Sequence, residues 1–138
     1  MRHKEDKTRS MMQGASPPSP RRRRAYHVGL WAEALCRWML RLKGYRLLAT
    51  RYRTPVGEVD IIAVRGRTLA FVEVKARTTR SLAAEAITPA QCRRQRQAAG
   101  VFLAHHPLFN GGYVVRFDAM LVAPFRWPVH LENADDGF

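Results

Sequence analysis

Two runs in the middle of the chain, Gly57-Glu58-Val59-Asp60-Ile61-Ile62-Ala63-Val64 and Leu69-Ala70-Phe71-Val72-Glu73-Val74-Lys75-Ala76, are dense in β-branched and aromatic residues. Only Arg65-Gly66-Arg67-Thr68 separates them, which predicts an antiparallel hairpin whose Gly66 supplies the positive φ of a type II′ turn. Before the hairpin, Leu30, Trp31, Ala34, Leu35, Trp38, Met39 and Leu42 recur at helical spacing, predicting an amphipathic helix from about Tyr26 to Lys43 that Gly44 stops. Tyr45 to Arg53 reads as a short strand anchored by Leu47 and Leu48, with Pro55 interrupting pairing after it. Beyond the hairpin, Thr88, Pro89 and Gln91 form a capping box for a second helix that runs to about His105, before Pro107. Cys92, Gln95, Ala99, Phe102 and Leu103 line one side of it. Asn110-Gly111-Gly112 turns into a buried last strand, Tyr113 to Val122, and the remainder from Pro124 reads as irregular cover over a sheet edge. The expected fold is α/β, in the order α-β-β-β-α-β, with a mixed sheet flanked by two helices. The crossover helix should set the last strand parallel to the second hairpin strand.

A two-residue turn fixes the hairpin register, so that Val64 faces Leu69 and Ile62 faces Phe71. Carried outwards, the same register places Asp60 opposite Glu73 and Glu58 opposite Lys75, all on one face, because side chains alternate every second residue. Opposed carboxylates with Cβ atoms roughly 5 Å apart repel unless a cation lies between them, and a divalent metal is such a cation. A three-residue loop would shift the partner strand by one and dissolve the grouping. The competing reading is a hairpin end carrying two cross-strand ion pairs, which leaves Asp60 facing Glu73 without an account. Glu33 and Arg37, spaced i and i+4, form a surface pair that explains Glu33 without catalysis.

Charge extends this picture. A chain of 138 residues with a formal net charge of +13 favours polyanions, chiefly nucleic acid or an anionic membrane surface. Residues 1–25 carry +6 of this charge, with a Ser-Pro run ahead of Arg21-Arg22-Arg23-Arg24, a composition expected to be a disordered basic tail, and the remaining domain still carries +7. The folded unit is expected over 26–134, with 135–138 as a C-terminal tail. Arg77 and Arg80 form either a phosphate-contacting strip or a solvated loop. Arg93, Arg94 and Arg96 lie near the start of the second helix, where they oppose its dipole, either to meet an anionic partner or as a basic surface. No apolar run is long enough to span a bilayer, and no apolar segment follows the basic N-terminus as in a secretory signal, so a cytoplasmic location without membrane attachment is expected. Cys36 and Cys92 stand alone, as reduced thiols do, and the adjacent His105 and His106 point to different sides of their helix, unlike a metal pair.

Gly57-Glu58-Val59-Asp60 followed by Phe71-Val72-Glu73-Val74-Lys75 resembles the YraN family of bacterial proteins. So do Gly29 with Ala32-Glu33, Gly44-Tyr45, Arg116-Phe117-Asp118 and the tail His130 to Ala134, which together cover about Tyr26 to Ala134. That family is similar in turn to restriction-endonuclease-like nucleases with a PD-(D/E)xK signature, to which Asp60 and Glu73-Val74-Lys75 correspond. The resemblance implies a nuclease that hydrolyses DNA phosphodiester bonds, with branched or damaged DNA suggested by junction-cleaving relatives. It also implies Mg²⁺ or Mn²⁺ held by Asp60, Glu73, the Val74 main-chain carbonyl and Glu33, the last resembling a helix acid of some such sites. Lys75 would orient or deprotonate a water, and Glu58 would assist the metal or pair with Lys75. Arg77, Arg80, Gln91, Arg93 and Arg94 are the expected nucleic-acid contacts, and a homodimer is left open. The chain departs from the family at Thr50-Arg51, where an Arg-Asn pair is usual, and at Gln91, where a Lys is usual. A non-catalytic nucleic-acid-binding protein of the same fold is the alternative.

Overall fold

The computed structural model describes residues 20–76 and 88–134. Its elements are α1 (Pro20–Leu42), β1 (Arg46–Thr54), β2 (Gly57–Arg65), β3 (Thr68–Ala76), α2 (Pro89–His105), a 3-10 turn (Pro107–Asn110), β4 (Val114–Val122) and β5 (Val129–Leu131). The strands form one mixed sheet in sequence order, antiparallel throughout except where β4 runs parallel to β3. This is the expected α/β order, and the crossover through α2 is what permits the parallel step. Two boundaries differ from expectation. Helix α1 begins at Pro20, so Arg21–Arg24 are helical instead of lying in the tail, and proline at a first helical position sacrifices no hydrogen bond. Strand β5 pairs with β4 inside the stretch expected to be irregular. Arg77, Arg80, residues 1–19 and residues 135–138 lie outside the described residues.

The two faces of the sheet carry separate cores. On one, Ala32, Cys36 and Leu40 of α1 pack on Tyr45, Ile61, Ala63, Ala70, Val72, Met120 and Val122. On the other, Ala98, Ala99 and Phe102 of α2 pack on Val59, Ile62, Val64, Leu69 and Phe71. The buried stripe of α1 therefore differs from the expected one: Trp31 and Trp38 are 68% and 64% exposed, and Leu42 is exposed too. Small Ala32 and Cys36 bring the helix close to the sheet, and an indole at either position would not fit beneath it. Helix α2 obeys its signal in full, since the Thr88 side chain accepts from the Gln91 N–H while Gln91 Oε1 accepts from the Thr88 N–H. Its buried Gln95 donates to the Phe71 carbonyl at 2.9 Å, which satisfies both groups inside an apolar layer.

Strand β2 starts where helix α2 leaves no room for a side chain. A Cβ on Gly57 would lie 2.1 Å from the Arg94 carbonyl oxygen. Gly57→Ala is therefore expected to destabilise the protein by on the order of 2–4 kcal/mol, seen as a fall in melting temperature, because the obstacle is helix backbone that cannot rotate away.

A second polar feature fixes the far edge of the sheet. Asp118 on β4, its side chain fully buried, receives Nε and one terminal nitrogen of Arg116, each at 2.8 Å, and the Asn133 N–H at 3.2 Å. His130 on β5, its side chain only 2% exposed, reaches the same carboxylate at 2.7 Å through Nε2. Lys43 Nζ lies 2.6 Å from His130 Nδ1, and an ammonium can only donate, so Nε2 is the nitrogen that donates to Asp118. Arg116 also donates to the Tyr45 hydroxyl. Burial alone would raise the Asp118 carboxyl, but the hydrogen bonds from His130 and Arg116 outweigh it and hold the group below its ordinary value. Removing the imidazole leaves a buried charge short of a donor. His130→Ala should cost about 2–4 kcal/mol, with the loss measured near neutral pH and shrinking as acid protonates Asp118.

Candidate active site

Near its turn the hairpin has the expected register, with Arg65, Val64 and Ile62 opposite Thr68, Leu69 and Phe71. The ladder ends at Ile61 and Val72. Beyond that level β2 stays with β1, through Val59 opposite Tyr52 and Glu58 opposite Arg53, while β3 stays with β4, through Glu73 opposite Ala119 and Lys75 opposite Leu121. The expected pairs Asp60–Glu73 and Glu58–Lys75 are thus replaced by a gap between two parting strands. Asp60 fills its inner end: its Oδ2 accepts the Val74 N–H at 2.7 Å, taking the place of a ladder carbonyl.

The parting coincides with a break in side-chain alternation. Ala49 and Tyr52 pack towards α2, as do their partners Ile62 and Val59, although each pair is separated by three residues along its strand. Arg51, between them, has φ of +51°, a left-handed conformation that residues other than Gly, Asn and Asp rarely adopt. Such a kink re-aims the side chains beside it. Asp60 consequently faces the α1 side, in a cleft of about 220 Å³ with Gly29, Leu30, Glu33, Arg51, Arg53 and Glu58. Glu73 keeps the regular alternation of β3 and faces the α2 side, in a cleft of about 470 Å³ with Arg53, Glu58, Lys75, Gln91 and Arg94 among its lining residues. The single shared face expected for the four charged residues is corrected accordingly, and the two carboxylates approach the gap from opposite sides of the sheet.

Each acid has a distinct partner. Glu33 turns inward to Arg51 Nε at 2.9 Å, which overturns the Glu33–Arg37 surface pair. Lys75 Nζ lies 3.0 Å from Glu73 Oε1 with both side chains mostly buried, so Lys75 pairs with Glu73, while exposed Glu58 lies 3.8 Å from Arg53. Asp60 is left with a backbone donor and three acids around it. Burial first, then Glu73, then Glu33 and Glu58 push its carboxyl up to about 7, against the Val74 N–H pulling it down. The Cys36 thiol beneath, buried and facing Asp60 and Glu33, is pushed up to about 12 and stays protonated.

Hard oxygen donors with a deficit of positive charge suit a hard divalent cation. Among the described residues no three His, Cys, Asp or Glu side chains are grouped to hold a metal. Asp60 and Glu73 flank the gap from its two sides, and an ion held by only one or two carboxylates would keep most of its water. Glu33 is adjacent to this pair but engaged by Arg51. Of the expected nucleic-acid contacts, Gln91 and Arg94 line the Glu73 cleft, while exposed Arg93 does not. Arg53 borders both clefts and was missed; its signal was the tight turn after β1, which folds Arg53 back onto Glu58. Asp118 and His130, recognised only as family motif residues, proved to be a structural node.

Fold and site together define a mixed α/β protein of element order α-β-β-β-α-β, with two acids and a lysine where the central strands part. More particularly, residues 32–122 match uncharacterised protein family UPF0102, and the chain belongs to that family, the YraN family of its motifs. A UPF0102 protein of Methylorubrum extorquens (strain PA1) is 50% identical over 123 residues, 89% of this chain and 95% of the relative. One from Parvibaculum lavamentivorans is 51% identical over 110 residues, 80% and 82% of the two chains. One from Rhodopseudomonas palustris (strain BisB5) is 48% identical over 130 residues, 94% and 96% of the two.

The strain of the acid cluster has a measurable sign. A carboxyl raised to about 7 takes up a proton on folding between its ordinary value of 3.8 and 7, so Asp60 weakens the fold above pH 7 and ceases to as pH falls through that window. Asp60→Asn keeps an oxygen for the Val74 N–H and removes the charge. In metal-free buffer it should melt several degrees above the parent at pH 8, and the difference should close towards pH 5.

Proposed function

We propose that this protein is a divalent-metal-dependent nuclease, with DNA as the first substrate to examine. The observation that carries the reading is Asp60, a carboxylate held among other acids at the parting of β2 and β3, beside the Glu73–Lys75 pair and a cleft edged by Arg53 and Arg94. Acids arranged at such a cost to the fold are expected where a cation or a proton is handled. Asp60 and Glu73 would hold the ion, with Glu33 and the Val74 carbonyl as further oxygens. When bound, the ion supplies polarisation of the phosphodiester and a more acidic water.

The chain's own groups would do the rest. Arg53 and Arg94 orient the phosphate backbone along the cleft. Lys75, paired with Glu73, orients the attacking water and offsets charge developing on the phosphate. Water adds to phosphorus, the bond to one bridging oxygen breaks, and the proton released ends on that leaving oxygen. A second reading has its own support, since Glu33 and Glu73 are each neutralised by a side-chain cation, as in a binding module without turnover.

Incubation with linear, nicked and branched DNA, with and without Mn²⁺ or Mg²⁺, separates the two. Metal-dependent cleavage is expected, and Asp60→Ala should lower it by about 100-fold or more while leaving salt-sensitive DNA binding intact. Binding without cleavage of any of the three would establish the binding module. Cleavage that survives Asp60→Ala would show that the site lies elsewhere.

A further inference from the structure

The loop between β4 and β5 carries two aromatic side chains that the fold does not use. Its sequence is Ala123-Pro124-Phe125-Arg126-Trp127-Pro128. Phe125 is wholly exposed and Trp127 is 77% exposed, with exposed Arg126 between them. Phe125 also has φ of +59°, a region that bulky side chains rarely enter. Proline on either side narrows the conformations of the loop, so the rings are presented by a stiffened segment. Exposed aromatic surface and a strained backbone in the same residue point to a contact made outside the folded chain.

The register of the sheet says where that contact falls. Leu121 and Val122 lie beside Lys75 and Ala76, so the loop leaves β4 at the end of the sheet that carries Glu73 and Lys75. One strand spacing, about 4.8 Å, separates the two paths there. The chain carries a formal charge of +13, and Arg53 and Arg94 line the cleft that also holds Glu73 and Lys75. Aromatic rings beside a basic channel match nucleic-acid bases, whose flat faces stack on them while phosphates meet the arginines. In a duplex those faces are already stacked on one another, so rings of this kind take bases that are unpaired.

We infer that Phe125 and Trp127 form a stacking platform for unpaired bases, which makes the substrate of the neighbouring site a nucleic acid with a single-stranded segment. This rests on the nuclease reading for its substrate, but not for its test. In a Trp31→Phe/Trp38→Phe protein, Trp127 is the remaining indole, since the chain has three. Titration with oligothymidylate in EDTA is expected to quench its emission, and a blunt duplex of equal length is not. Phe125→Ala should weaken oligothymidylate binding by about tenfold without altering duplex binding, and Phe125→Trp should restore it. Phe125→Gly, which accepts φ of +59° freely, should melt no lower than the parent yet lose the same affinity, separating loss of the ring from loss of the fold.

Equal quenching by both probes, or Phe125→Ala and Phe125→Gly proteins that bind oligothymidylate like the parent, would overturn the inference. So would a blue-shifted Trp127 emission on phosphatidylglycerol vesicles with no response to oligothymidylate, which would assign the loop to an anionic membrane surface. Cleavage gives an independent arm. If stacking persists while Mg²⁺ and Mn²⁺ support no hydrolysis, the loop inference stands and the nuclease reading falls. If hydrolysis of gapped DNA is unchanged in Phe125→Ala and the quenching is absent, the nuclease reading stands and the loop inference falls.

Discussion

A single hydrogen bond organises the centre of this molecule, the one from the Val74 N–H to Asp60 Oδ2. Two strands paired from their turn to Ile61 and Val72 must stop pairing somewhere if a site is to open between them, and the first unpaired backbone groups then need partners. A carboxylate in place of a main-chain carbonyl supplies one and brings a negative charge to the opening. Burial and the neighbouring acids raise the Asp60 carboxyl despite that bond, and burial, aided by the charge of Asp60, keeps the Cys36 thiol protonated. The outer strands make the opening tolerable, because β1 and β4 continue to bind β2 and β3 after these separate from each other.

Two charged groupings in the fold are built on opposite logic. Around Asp118 every oxygen is answered, by Arg116, His130 and the Asn133 N–H, and the carboxylate is held ionised deep in the sheet. Around Asp60 the neighbours are mostly further acids, and the carboxylate is pushed towards neutrality. The first arrangement holds β4, β5 and the end of α1 together and is a structural device. The second weakens the fold where it stands.

Much of the architecture was legible because it rests on local rules. The capping box at Thr88 and Gln91, the turn at Gly66 and the hairpin register near it need only neighbouring residues. Extending the register to Asp60 failed for a reason no pattern shows: an arginine, Arg51, occupies a left-handed conformation and breaks the alternation of two strands at once. The helical phase of α1 was misread because hydropathy favours burying Trp31 and Trp38, whereas the close approach to the sheet selects Ala32 and Cys36. Asp60, Glu73, Lys75 and Glu33 could be singled out as candidates from the sequence, but their partners could not, since ion pairing depends on which side of the sheet each side chain leaves. Arg53 and the Asp118 node lay beyond pattern reading, because their partners are set by tertiary packing.

At Gly57 the absent side chain lets the Arg94 carbonyl of α2 rest directly on the start of β2. Main chain against main chain has no rotamer to absorb a displacement, so helix and strand behave there as one stiff lever. A displacement of Arg94 at one end would be felt at Glu58 at the other, giving the basic rim of the cleft a mechanical purchase on an acid that lines it.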